Sequence, residues 1–177
     1  MTHSFLIAGF GGQGILFAGK FLVNKGMLQG KEVSWLPSYG PEMRGGTANC
    51  SVIVSDEPVG SPIVDHPDVL IVMNLPSLDK YENAVQPGGM IFVDSTLIER
   101  KVQRDDVTTY YVPATGIASE SGITTLANMI LTGKVLDALG EFDDGVEAAL
   151  KKVVSVKHPE MYDVNLKALE LGHNYGK

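Results

Sequence analysis

The amino-acid sequence predicts an α/β fold: a single Rossmann-like domain with an open, mostly parallel sheet and helices on both faces. Two observations support this prediction. Short β-rich runs alternate along the chain with segments of helical periodicity, and a glycine-rich turn directly follows the first β-rich run. Strands that alternate with helices are typical of parallel sheets covered on both faces. A glycine turn after the first strand is typical of Rossmann-like folds.

The individual elements follow from the spacing of apolar residues, which recur at every second position in strands and at every third or fourth position in helices. Strands are predicted at 5–8, 31–36, 47–54, 69–73, 90–93 and 107–112, and helices at 15 to about 26 or 30, 77–85, 123–139, 143–154 and 160–171. Three glycines and two prolines between 37 and 46 predict a loop or hairpin there.

The carboxyl ends of the strands are the expected place for ligands, because open α/β sheets bind them just beyond those ends. The segments predicted at this edge are 9–14, 37–46, 74–77, 94–96 and 113–116. We therefore expect the functional residues in these five segments.

Length and composition exclude several classes of protein. A chain of 177 residues, 44% of them hydrophobic, fits one folded domain spanning 1–177. A net charge of −7 without a cluster of lysines and arginines excludes nucleic-acid partners. The apolar runs are far shorter than the roughly 20 residues that cross a bilayer. The first residues lack the features of a secretory signal, so we expect a cytoplasmic location.

Cysteine and histidine usage argues against a metal or redox centre in this chain. Cys50 is the only cysteine, which excludes an intrachain disulfide, a CxxC pair or a cysteine-ligated cluster. The four histidines, His3, His66, His158 and His173, lie far apart in sequence. We expect them to be surface or hydrogen-bonded residues, with no metal site.

The glycine turn has two open interpretations. Gly9, Gly11 and Gly14 match G-x-G-x-x-G between a strand and a helix, where backbone amides and the helix N-terminus favour an anion. A dinucleotide site usually also has an acidic residue at the end of the second strand, but residues 36–38 are Leu-Pro-Ser. The turn therefore binds a dinucleotide, or it packs tightly or binds another anion. Gln13 can hydrogen-bond at the turn or cap the helix.

The second glycine-rich loop carries an acid and a base. Arg44 can clamp a carboxylate or phosphate with two hydrogen bonds, and Glu42 can orient it. The alternative is an exposed ion pair beside an ordinary turn. Trp35, Leu36, Tyr39 and Met43 can form an apolar docking patch, although Trp35 can also be a core residue.

Three stretches together carry a family resemblance: Gly9-Phe-Gly-Gly-Gln-Gly14, Trp35-Leu-Pro-Ser-Tyr-Gly-Pro-Glu-Met-Arg-Gly-Gly46 with Cys50, and Ser55-Asp-Glu-Pro58. The chain resembles the gamma subunits of 2-oxoacid:ferredoxin oxidoreductases along its whole length. Weaker similarities lie at 87–89, 128–129 and 165–172. The Glu-Met-Arg-Gly-Gly version of the loop looks closer to the 2-oxoglutarate and branched-chain oxoacid enzymes than to pyruvate enzymes.

The resemblance implies a thiamine-diphosphate enzyme that decarboxylates a 2-oxoacid, reduces ferredoxin through iron–sulfur clusters and transfers the acyl group to coenzyme A. It implies alpha and beta partner subunits, with a delta subunit as an open alternative. This chain has no Gly-Asp-Gly segment followed by Asn for magnesium and diphosphate, and it has one cysteine. Thiamine diphosphate, Mg and the clusters are therefore expected in the partners.

The predicted contribution of this chain is a surface, with no catalytic residue and no metal ligand. We expect its two glycine-rich segments to share one edge of the sheet and to face the oxoacid, or an anionic part of coenzyme A. The residues of this predicted surface are Gly9, Gly11, Gly12, Gln13, Gly14, Ser38, Tyr39, Gly40, Glu42, Arg44, Gly45 and Gly46. Two alternatives remain: a free-standing dinucleotide-binding protein or reductase, and a purely structural interaction subunit.

Overall fold

The computed structural model describes residues 1–38 and 47–177. The strands are β1 (Thr2–Phe10), β2 (Glu32–Ser38), β3 (Thr47–Ser55), β4 (Val69–Val72), β5 (Met90–Asp94) and β6 (Thr108–Val112). The helices are α1 (Ile15–Leu28), α2 (Leu75–Tyr81), α3 (Ala114–Glu120), α4 (Ala127–Leu139), α5 (Gly145–Val153) and α6 (Glu160–Asn174), and a 3-10 turn, Glu82–Ala84, follows α2. The described part of the chain contains no helix long and apolar enough to cross a membrane.

The strands form one sheet in the order β2-β3-β1-β4-β5-β6. Strands β1, β4, β5 and β6 run parallel, while β3 is antiparallel to both of its neighbours. The predicted mostly parallel α/β sheet is confirmed, as is the hairpin between β2 and β3. The sequence did not indicate that β3 lies between β1 and β2. The connection from β1 through α1 to β2 therefore passes over β3.

The two faces of the sheet bury different clusters of side chains. Phe5 and Ile7 of β1 point into a large core that also contains the buried residues of α1, α3, α4, α5 and α6. Leu6 points to the opposite face, where α2 contributes Leu78 to a smaller core. Because β4 lies in the middle of the sheet, all four of its residues are buried, which explains its continuous apolar sequence. Helices lie on both faces, as predicted.

The ends of two helices differ from the sequence prediction for a local reason. Helix α2 begins at Leu75 because the Asn74 side-chain oxygen accepts a hydrogen bond from the Ser77 amide, 2.9 Å away. Helix α3 lies in a segment for which no helix was predicted, with Pro113 at its N-cap. The Asp94 carboxylate accepts hydrogen bonds from the Thr115 amide (3.3 Å) and hydroxyl (2.6 Å), which fixes the first turn of α3.

Candidate functional site

The carboxyl ends of β1 and β2 lie at the same edge of the sheet. Both strands are antiparallel to β3, with Phe10 paired to Thr47 and Ser38 paired to Asn49. Ser38 and Thr47, the described residues on either side of 39–46, therefore lie at the same edge of the sheet as the glycine turn. Among the predicted site residues, Tyr39, Gly40, Glu42, Arg44, Gly45 and Gly46 lie outside the described residues, as does Met43 of the predicted apolar patch. Their roles stay predictions.

The glycine turn leads into a helix without a side-chain cap. Gly12 has φ +88° and Gly14, the N-cap residue of α1, has φ +75°, a region that favours glycine. The Gly14 carbonyl accepts the first helical bond from Ala18, 3.2 Å away. Among the residues that the structure describes, no side chain caps α1, and Gly11 and Gly12 are exposed. The turn thus presents main-chain amides and the positive end of the helix to solvent.

Gln13 joins the ends of two neighbouring strands. Its Oε1 accepts a hydrogen bond from the Phe10 amide at 2.6 Å, and its Nε2 donates one to the Met73 carbonyl at 3.1 Å. Of the two predicted roles, hydrogen bonding at the turn is therefore the one observed, and capping of α1 is not. Because both ends of the carboxamide are engaged, Gln13 holds the turn against the end of β4.

Packing within the chain accounts for two of the glycines. A Cβ at Gly9 would lie 2.5 Å from Gln13 Oε1 and 3.1 Å from Met73 Cβ. A Cβ at Gly14 would collide with the side chain of Asn128, whose Nδ2 donates to the Gly14 carbonyl at 3.0 Å. Gly12 differs, since a Cβ there would meet nothing within 4 Å. The motif therefore combines close internal contacts with an exposed tip.

Two apolar clefts flank Phe17 beside the turn. The first, of about 340 Å³, is lined by Phe10, Gly11, Gly12, Gly14, Ile15, Leu16, Phe17 and Ala48. The second, of about 320 Å³, is lined by Gly14, Phe17, Thr125, Leu126, Asn128, Val153, Val154, Ser155, His158, Met161 and Asn165. Neither cleft has a lysine or arginine among its described lining residues. Sequence reasoning missed the second cleft, because its walls come from α1, α4, α5 and α6.

Buried amides form part of the wall of the second cleft. Asn128 and Asn165 are 3% and 2% exposed, and each donates its side-chain N–H to a main-chain carbonyl. Their side-chain oxygens have no hydrogen-bond partner among the residues that the structure describes. These amides hold the N-termini of α1 and α6 rather than a charged group.

The other polar residues predicted at this edge are used inside the protein. Asn74 is buried as the cap of α2, and Asp94 is fully buried against the amides of Thr96 and Thr115. They close the loops after β4 and β5. Segments 74–77 and 94–96 therefore shape the edge without presenting their cap side chains to a ligand.

Apolar side chains stand exposed along the same edge. Phe10 ends β1, Leu36 lies near the end of β2, and Leu75 and Leu97 follow β4 and β5. Each of the four is between 40% and 46% exposed. Leu36 was predicted as part of a docking patch.

Trp35 instead packs against the core, with its Nε1 donating to Cys50 Sγ at 3.3 Å. Burial raises the pKa of the Cys50 thiol to about 11, so this thiol stays protonated at neutral pH.

Comparison with known proteins extends over nearly the whole chain. Residues 4–175 match the family described as pyruvate ferredoxin/flavodoxin oxidoreductase. A subunit named ketoisovalerate oxidoreductase subunit VorA, from Methanothermobacter marburgensis, is 39% identical over 173 residues, which are 97% of this chain and 36% of that protein. This chain thus spans about a third of that relative. The 2-oxoglutarate synthase subunit KorC of the same organism is 35% identical, and the match covers 97% of this chain and 95% of KorC.

A solved structure shares the fold. The keto/oxoacid ferredoxin oxidoreductase gamma subunit from Geobacter sulfurreducens superposes with a TM-score of 0.81 at 26% identity, and the match covers 97% of this chain and 96% of that one. The similarity to this gamma subunit therefore holds for the fold as well as for the sequence. On these grounds, the chain belongs to the pyruvate ferredoxin/flavodoxin oxidoreductase family.

Proposed function

We propose that this chain is the gamma subunit of a thiamine-diphosphate-dependent 2-oxoacid:ferredoxin oxidoreductase. The complex would oxidatively decarboxylate a 2-oxoacid to an acyl-CoA and reduce ferredoxin. We propose 2-oxoglutarate as the substrate, with a branched-chain oxoacid as the alternative. The names of the KorC and VorA relatives and the family match support this proposal.

The cofactors of such an enzyme do not fit this chain. An iron–sulfur cluster is usually held by four thiolates, whereas Cys50 is the only cysteine and is fully buried. The sequence also lacks the Gly-Asp-Gly and Asn pair for magnesium and diphosphate. We therefore assign thiamine diphosphate, Mg and the clusters to alpha, beta or delta partner subunits, and we propose no bond-making step for the residues of this chain.

The proposed contribution of the chain is to position substrate at the glycine-turn edge. The observation that carries this proposal is the start of α1, which no described side chain caps, with exposed Gly11 and Gly12, between two apolar clefts. Main-chain amides at the turn suit an anionic group, and the clefts suit an apolar arm such as that of coenzyme A. Arg44 would add a bidentate clamp.

A second candidate, a purely structural interaction subunit, is favoured by a different observation. Gly9, Gln13 and Gly14 already have internal partners, and the edge exposes Phe10, Leu36, Leu75 and Leu97. On this interpretation both loops pack against a partner chain, and neither binds substrate. The two candidates differ in what a mutation at the edge should change.

Kinetics of the reconstituted complex separate them. For a charge-assisted contact of about 1.5–3 kcal/mol, Arg44→Ala should raise the KM for coenzyme A or the oxoacid roughly ten- to a hundredfold, with the complex intact. Lys101→Ala, at an exposed position that lines none of the clefts, serves as the control. Unchanged kinetics with intact assembly would remove the positioning role, and lost assembly with normal KM would favour the structural subunit.

Two measurements test the wider assignment. Native mass spectrometry of the protein purified from its own source should show co-purifying thiamine- and cluster-binding chains. Calorimetry of the isolated chain with NAD or NADP should show no micromolar binding, since β2 ends in Leu36, Pro37 and Ser38 without a carboxylate for the ribose. Micromolar binding would favour a free-standing dinucleotide-binding protein instead.

A further inference from the structure

The side chain of Trp35 is fixed in one orientation. This residue is the only tryptophan of the chain, and it lies half-buried on β2. Its Nε1 donates a hydrogen bond to Cys50 Sγ on β3, 3.3 Å away. Because burial keeps the thiol protonated, with its pKa raised to about 11, the sulfur stays a neutral acceptor for the indole N–H.

Helix α1 completes this arrangement through a glycine. A Cβ at Gly19 would collide with Cys50 Sγ and would lie 3.0 Å from Trp35 Nε1. The helix can therefore lie directly on the edge of the indole ring only because residue 19 has no side chain. Residues of α1, β2 and β3 together hold the ring.

The ring forms one wall of a cleft that carries positive charge. The cleft has a volume of about 340 Å³ and is lined by Lys20, Val23, Asn24, Trp35, Lys152 and Val153. Lys20 Nζ lies 5.4 Å from the centre of the Trp35 ring. Among the described residues, neither Lys20 nor Lys152 has an acidic side chain in ion-pair contact. In a chain with a net charge of −7, two such lysines beside one aromatic ring suit an anionic ligand.

Asn24 adds a polar group at the same place. Its Nδ2 donates to the Lys20 carbonyl at 2.9 Å, which orients the side-chain oxygen as the group able to accept a hydrogen bond from a ligand. Val23 and Val153 supply apolar surface. The cleft thus combines an aromatic face, two cations, one acceptor and an apolar floor.

We propose that this cleft binds the ADP moiety, either as a free purine nucleotide or as the head group of a larger coenzyme. The base takes the place of the Lys20 ammonium over the Trp35 ring and stacks there, its exocyclic amine donates to Asn24 Oδ1, and the phosphates lie between Lys20 and Lys152. Aromatic platforms bind bases of any sequence through their π-faces, and lysine is a common phosphate partner. The volume lies in the usual range for small-ligand sites.

The position of the cleft bears on which form binds. It shares Val153 with the second cleft beside the glycine turn, which in turn shares Gly14 and Phe17 with the first. The three clefts therefore adjoin one another from the Trp35 ring to the carboxyl edge of the sheet. A coenzyme with a long arm can occupy them in sequence, and this coenzyme form alone rests on the proposed function.

Fluorescence of the intact chain tests the proposal directly, because Trp35 is its only tryptophan. ADP should quench or shift the emission with saturation in the micromolar range. Adenosine and pyrophosphate, which carry half of the ligand each, should bind at least about tenfold more weakly. Lys20→Gln and Lys152→Gln should each weaken ADP binding about tenfold. Both lysines are exposed, so both variants should fold, and Lys101→Gln, which is exposed and lines none of the three clefts, is the matched control.

Each outcome decides the proposal. Absence of an effect of millimolar ADP on the emission would overturn it. It would also be overturned if pyrophosphate bound as tightly as ADP, or if the Lys152→Gln variant bound ADP normally. Binding of ADP and coenzyme A alike would support a coenzyme head-group site. Binding of ADP without coenzyme A would support a free-nucleotide site, and it would count against the coenzyme part of the proposed function only.

Discussion

Gln13 Nε2 donates a hydrogen bond to the main-chain carbonyl of Met73, 3.1 Å away, and so ties the glycine turn after β1 to the end of β4. The same carboxamide accepts from the Phe10 amide. The turn is thereby held from two sides at the edge where the proposed substrate surface lies. Gln13 therefore sets the shape of the glycine turn.

Gln13→Ala should therefore destabilise the protein. The change leaves the Phe10 amide and the Met73 carbonyl without their partner, and each lost hydrogen bond costs about 0.5–1.5 kcal/mol. We expect the free energy of unfolding in urea to fall by about 1–3 kcal/mol.

Gln103→Ala is the matched control, since Gln103 is exposed and its side chain makes no hydrogen bond among the described residues. It should change the unfolding free energy by less than about 0.5 kcal/mol. Equal effects of the two substitutions would show that the bridge from Gln13 to Met73 does not stabilise the turn.

Two reciprocal glycines allow helices α4 and α6 to cross closely. A Cβ at Gly133 of α4 would collide with the Leu169 carbonyl, and a Cβ at Gly172 of α6 would collide with the Ile130 carbonyl. Both obstacles are backbone atoms, which cannot move without separating the helices. We expect Gly133→Ala and Gly172→Ala each to lower the unfolding free energy by about 2 kcal/mol or more, despite the better helix propensity of alanine.

Gly116→Ala in α3 provides the comparison. A Cβ there would meet only the Thr96 side chain, at 3.3 Å, which can adjust. The free energy of unfolding of this variant should differ from that of wild type by less than about 1 kcal/mol in the same denaturant titration. A similar loss at all three glycines would contradict the close crossing of α4 and α6.

The fold class could be predicted from the sequence because its strongest signals are local. The apolar run 69–73 contains β4, which is buried on both faces, and the period-2 pattern of 47–54 marks β3. The order of strands could not be predicted. Alternation of apolar residues shows which side chains share a face, but it does not show that β3 pairs with β1 as well as β2.

The candidate site was only partly predictable for a similar reason. The glycine turn lies between a strand and a helix that are adjacent in sequence. Its position at the carboxyl edge of the sheet could therefore be predicted directly. The second cleft needs Gly14, Asn128 and Asn165, which lie on three helices that meet only through packing. The contact of Trp35 with Cys50 depends on the absence of a side chain at Gly19. No spacing rule connects these residues.

His3 forms a pH-dependent contact between β1 and the loop after α4. Its Nε2 lies 3.5 Å from Glu141 Oε1, and its Nδ1 lies 3.9 Å from Asp68 Oδ2. The hydrogen bond with Glu141 raises the pKa of His3 above its ordinary value of 6.5, although burial opposes this shift. The same bond lowers the pKa of Glu141.

The raised pKa of His3 determines how the stability of the fold depends on pH. A group with a raised folded-state pKa stabilises the fold below its unfolded pKa, and that stabilisation is lost as the pH rises through the folded pKa. The stability advantage of wild type over His3→Gln should therefore be largest near about pH 6 and should decline by about pH 8. Urea unfolding at several pH values measures it, with the exposed His158→Gln as control. A pH-independent difference would contradict the ionic contact.

Cys50 offers a probe of global unfolding. Its thiol is fully buried, and burial raises the pKa from 9.0 to about 11. At pH 8 only about one thiol in a thousand is ionised at that pKa, against about one in ten at the ordinary value. Since the thiolate is the reactive form, we expect labelling by a thiol reagent to be at least about a hundredfold slower than labelling of glutathione. The rate should rise with urea in parallel with unfolding measured by circular dichroism. Fast labelling of the native protein would show that β3 opens locally, and with it the contact that orients Trp35.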